Sequence, residues 1–82
     1  MSAELWEQAR NALVEVIGRN NVLAWIEPLI FAGVRDGVAM LDAPTTFIAD
    51  WVARNFAEHI RAALALQGLA VNRVEFAVRG GR

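Results

Sequence analysis

Eighty-two residues with a formal net charge of −1 make one small domain rather than several. A hydrophobic content of 56% is too high for a disordered chain, and fifteen of those apolar residues are Ala, which favours helix. With no Cys there is no disulfide scaffold, thiolate metal site or Cys nucleophile, and the single His59 cannot build a multi-His metal site. No apolar run exceeds five residues, where a membrane span needs about 20. The acidic start, Met1 to Trp6, lacks the basic segment of a secretory signal, so a cytoplasmic location is expected.

Charge is divided unevenly. Residues 1–50 carry seven acids against three Arg, and residues 51–82 carry two acids against five Arg. A weak basic face on the C-terminal half and an ordinary mixed-charge surface both fit this pattern.

The first helix is expected over residues 4–17, where Leu5, Ala9, Ala12, Leu13 and Val16 form a stripe at helical spacing. Ser2 is its candidate N-cap and Gly18 its stop. A second, short helix starts at Asn20 or Asn21. Val22, Trp25, Ile26 and Leu29 give it an apolar face with Trp25 central and therefore core, and Pro28 ends or distorts it. Strands follow over 31–35 and 38–42 around Asp36-Gly37, a strong hairpin signal. Pro44 closes the second strand, and Thr45 or Thr46 caps a long helix over 46–67 that Gly68 stops. A last strand covers 71–78, with Val74, Phe76 and Val78 on one face. The order ααββαβ predicts an α+β domain over residues 1–79, a three-stranded sheet covered by three helices. Gly80, Gly81 and Arg82 read as a flexible tail or the start of a linker.

Some aromatics fall off the apolar stripes. In the long helix, Ile48, Val52, Phe56, Ile60 and Ala63 share one face. Phe47 lies about 150° from its centre, with Trp51 beside Phe47. Either the helix is buried on two sides, or Phe47 is an exposed contact anchor. Trp6 sits at the edge of the first stripe, about 50° from its centre, and core and contact roles both remain open.

Catalytic constellations are missing. The one Ser is Ser2, there is no Lys or Tyr, and no phosphate-cradling or metal motif occurs, so no enzymatic activity and no cofactor are expected. His59 falls near the apolar face of the long helix and reads as a packed structural residue. The element order is KH-like, but no GxxG loop exists to clamp a nucleic-acid backbone. Arg54 and Arg61, two turns apart, are candidate weak nucleic-acid contacts or simply a solvated face.

Several short motifs occur in one order. Leu5-Trp6 opens the chain, Trp25-Ile26-x-Pro28-Leu29 ends the second helix, and Asp36-Gly37 turns the hairpin. Ala43-Pro44-x-x-Phe47-x-x-Asp50-Trp51-Val52 and Val74-x-Phe76-x-Val78 follow. This series resembles the amino-terminal domain of bacterial DnaA replication initiators over about residues 3–79. The resemblance implies a compact KH-like α+β fold without enzymatic activity. It implies contact roles: weak self-association of initiators, recruitment of the replicative helicase DnaB, docking of regulators of initiation, and weak contact with single-stranded DNA. By position, Trp6 matches the self-association Trp, and Phe47 matches the aromatic that meets helicase and regulators. Two positions depart from the pattern. Asn21 stands where the family has a helicase-contacting acid, and Thr45 where it has a regulator-contacting Asn. Both keep a polar group, but a charge-assisted contact at Asn21 is lost. A stand-alone regulator built on the same domain is the alternative, distinguished by whether the reading frame runs on into an ATPase domain.

Overall fold

A computed structural model describes residues 2–79, with side chains from Glu4 onward. The tail expected at residues 80–82 and the capping side chain of Ser2 lie outside what is described. Helix α1 spans Ser2–Ile17 and a single helical turn, α2, spans Arg19–Asn21. A π-helical turn follows over Val22–Ile26. Strands β1 (Ile30–Arg35) and β2 (Val38–Ala43) form the hairpin, α3 covers Thr46–Asn55, α4 covers Ala57–Leu66, and β3 covers Arg73–Val78.

Local chemistry explains most of these limits. Gly18 ends α1 at φ 93°, where its N–H still donates to the Val14 carbonyl at 3.0 Å. The Glu27 N–H reaches back five residues to the Val22 carbonyl at 2.8 Å, which defines the π turn just before Pro28. Asp36 and Gly37 both have positive φ, 53° and 80°, as a type I′ turn requires. A Cβ on Gly37 would lie 2.5 Å from the Asn72 amide nitrogen, which would have to swing aside, so the requirement for Gly here comes from φ.

The sheet order is β1-β2-β3, with β1 antiparallel and β3 parallel to β2. A parallel neighbour requires a crossover, and α3 with α4 supplies it. The central strand alternates: Ala39, Leu41 and Ala43 are buried, and the residues between them are half-buried. Phe31, Leu41 and Phe76 stand side by side across the three strands. Leu13, Val22, Ile26, Leu29, Val52, Ile60 and Leu64 complete the core.

Four sequence expectations change. Helix α1 buries Trp6, Ala9 and Leu13, so its inner face is turned away from the expected stripe and Val16 is 62% exposed. The long helix is not continuous. It breaks at Phe56 (φ −128°, ψ 0°), whose ring packs against the core. His59 is exposed rather than packed, because Ile60, Ala63 and Leu64 carry the buried face of α4. Trp25 is half-buried rather than core. The widened π turn keeps Val22 and Ile26 on the inside and moves Trp25 off that line.

Candidate functional site

The start of α3 sets the geometry of the most exposed aromatic surface. Strand β2 ends where the Arg79 N–H donates to the Ala43 carbonyl at 2.8 Å, and Pro44 has no N–H to continue the ladder. Thr45 is extended (φ −140°, ψ 159°), and its hydroxyl accepts the Ile48 N–H at 3.1 Å. This N-cap starts the helix with Ala49 and Val52 facing inward. Phe47, Asp50, Trp51 and Arg54 then fall on the outer side, spaced i, i+3, i+4, i+7. Thr45 therefore acts first as a helix cap.

Trp25 reaches this outer side from the π turn. Its ring stacks on Trp51 with centroids 5.0 Å apart and planes at 21°, and lies 5.7 Å from Phe47. Phe47 and Trp51 are 6.4 Å apart. Such pairs each contribute about 0.5–1.5 kcal/mol beyond area burial. The cluster is still open to water, with Phe47 66% and Trp51 40% exposed. A hollow of about 220 Å³ beside it is lined by Phe47, Asp50, Trp51 and Arg54. Asn21 lies one turn before Trp25, where its amide donates to the Ile17 carbonyl at 2.8 Å.

A second aromatic group has the opposite character. Trp6 is only 6% exposed and stacks on Phe31 at 5.8 Å with planes at 12°. A surface hollow of about 350 Å³ runs past this pair, between Glu7, Arg10, Leu29 and Ile30. Arg10 pairs with Glu27 at 2.8 Å across its edge.

Arg54 and Arg61 sit on different helical segments because of the break at Phe56, yet they line one hollow of about 340 Å³ together with His59 and Arg73. Their electrostatic states differ. Arg61 is held by the Glu58 carboxylate at 2.6 Å and also donates to the Val71 carbonyl at 3.4 Å. Its hydrogen bonds keep the Glu58 carboxyl below its usual range, and Glu58 in turn raises Arg61. Arg73 is paired with Glu75 at 2.6 Å. Among the described residues Arg54 makes no ion pair.

Sequence reasoning found Phe47 and Trp51 through their position on the helix and missed Trp25 as their partner. The available signal was Pro28, which warned of a distorted turn but not of the direction in which Trp25 would swing. Among the described residues no three His, Asp or Glu side chains converge as metal ligands, and no helix is long and apolar enough to cross a membrane.

Taken together, these features define a small α+β domain with a mixed three-stranded sheet and an open aromatic cluster at the N-terminus of its crossover helix. Residues 3–66 match the family described as the DnaA N-terminal domain, and the chain belongs to that family. It is 51% identical over 78 residues to the chromosomal replication initiator protein DnaA of Cereibacter sphaeroides. It is 40% identical over 78 residues to that of Roseobacter denitrificans and 37% over 75 residues to that of Thermus thermophilus. The alignments cover 95%, 95% and 92% of this chain but only 17%, 17% and 16% of these relatives, so the chain spans about a sixth of their length.

Proposed function

We propose that this chain is a protein-contact module of a replication initiator, without enzymatic activity of its own, working in the cytoplasm. Its roles would be initiator self-association, recruitment of the replicative helicase DnaB and docking of regulators. The observation that carries this is the open Trp25–Phe47–Trp51 cluster. Water-exposed aromatic surface on a rigid, capped helix gains free energy when a partner covers it. Each contact can be weak, because tethering many copies at an origin multiplies them by avidity.

The test is an NMR titration of the labelled chain with the cognate replicative helicase. Shifts centred on Asn21, Thr45 and Phe47 support the helicase role. A spectrum unchanged at high helicase concentration removes that role and leaves self-association or regulator docking.

Burial changes how the self-association role of Trp6 must be tested. A second copy can reach Trp6 only along the rim of its hollow, where Ile30 is 43% exposed. Ile30→Glu is therefore a cleaner probe than Trp6→Ala. Sedimentation in which Ile30→Glu self-associates as the native chain does would remove this surface from the contact.

Single-stranded DNA contact is a second reading, supported by the hollow shared by Arg54, Arg61 and Arg73. It predicts binding that falls steeply with salt and is lost in Arg54→Ala/Arg61→Ala. Absent or salt-independent binding would end it.

A further inference from the structure

We propose that Arg54 makes the aromatic surface selective for an acidic partner segment: its guanidinium pairs with a carboxylate on a segment whose apolar side chain seats against Phe47 and Trp51. This deepens the reading of the aromatic cluster as a partner surface and rests on it.

Three observations carry it. First, Arg54 lines the hollow next to Phe47 and Trp51 and also the neighbouring one that holds Arg61, Arg73, His59 and Glu58, so it stands between the apolar patch and a cluster of paired charges. Second, Arg61 and Arg73 are matched by Glu58 and Glu75, whereas Arg54 makes no ion pair among the described residues. Asp50, at i−4, shares the hollow without bonding it. An exposed guanidinium with no internal partner keeps its full bidentate capacity for an incoming carboxylate. Third, Phe47 and Arg54 lie seven residues apart on one side of α3, about 10 Å along the axis. A helical or extended segment can present an apolar anchor and an acid over that distance on one face.

A nucleic acid fits the same surface less well. Backbone binding needs a track of free cations, and two of the three Arg here are already paired. Stacking of Trp25 on Trp51 removes one face of each ring from contact with a base.

The test titrates the cognate replicative helicase into the 82-residue chain and into its Phe47→Ala, Arg54→Glu, Arg54→Gln and Arg54→Lys variants, at low and high salt. A parallel titration uses a single-stranded oligo-dT. Arg54 is exposed, so the variants should keep the native amide spectrum. The expected result is helicase binding weakened about tenfold or more by Arg54→Glu, less by Arg54→Gln, and least by Arg54→Lys, which keeps the charge but loses the bidentate fork. The salt dependence should flatten in the first two variants. If Phe47→Ala weakens binding while Arg54→Glu does not, the role of Arg54 is overturned and the aromatic surface stands. If Arg54→Glu affects only the oligonucleotide, Arg54 is a phosphate contact and the proposal is overturned. If the native chain does not bind helicase at all, the helicase reading and this inference fall together.

Discussion

The two aromatic groups are built from similar pairs and end in opposite situations. Trp6 on Phe31 and Trp25 on Trp51 are both stacked, at 5.8 Å and 5.0 Å with planes within 12° and 21°. The first is pinned between α1 and β1 and is nearly closed to water; the second is completed by Phe47, which is two-thirds exposed. Ring type and pair geometry therefore do not separate a core contact from an open surface. The presence or absence of a covering element does, because the free energy lies in the area removed from water.

The largest test of this contrast is Trp6→Ala. It should cost about 3–5 kcal/mol, a large share of what a domain of this size has, read as a lower urea midpoint. A loss below about 1 kcal/mol would show that the Trp6–Phe31 pair is not core. Trp51→Ala comes next, at about 1–2 kcal/mol, since it removes a stacked but half-open ring. Thr45→Ala removes the cap that orients the open cluster and should cost about 1 kcal/mol, while Thr45→Ser should be close to native. Phe47→Ala loses two tilted ring contacts on a side chain that is 66% exposed, so it should cost about 1 kcal/mol or less while weakening partner binding, the reverse of Trp6→Ala. A large stability loss from Phe47→Ala would erase the distinction between the two groups.

The smallest effect belongs to the exposed Glu58–Arg61 pair. The folded-state pKa of Glu58 is lowered chiefly by hydrogen bonds from Arg61, so its stabilisation is present above the unfolded carboxylate range and is lost as pH falls through the lowered value. Glu58 is largely open to water, which keeps this contribution minor. NMR titration of the Glu58 carboxyl should show its pKa rising in Arg61→Gln. The difference in Tm between the native chain and that variant should shrink at low pH to what the lost Arg61–Val71 carbonyl contact leaves.

Much of the domain was legible in short stretches. Asp36-Gly37 marked the hairpin, the Thr45-Thr46 pair the cap of α3, which falls to Thr45, and Gly18 and Gly68 the helix ends, because each signal acts within a few residues. The two outward aromatics of α3 were legible for the same reason, since helix geometry alone puts Phe47 opposite Val52. The break at Phe56 was not. No Gly or Pro marks it, and the backbone leaves the helix there while the Phe56 ring packs against the core. The rotation of α1 was equally invisible, since Leu5 and Val16 match helical spacing as well as Trp6 and Leu13 do.

Composition, local turn and cap chemistry, and spacing were enough to set the α+β class, the order of the main elements and the lack of cysteine, while the motif series carried the resemblance to the family. The packed chain was needed to show that Trp6 is core, that Trp25 joins Phe47 and Trp51 outside it, and that β3 runs parallel to β2. Each of these depends on which surfaces meet across the fold, and short-range periodicity carries no information about a partner that is distant in the chain.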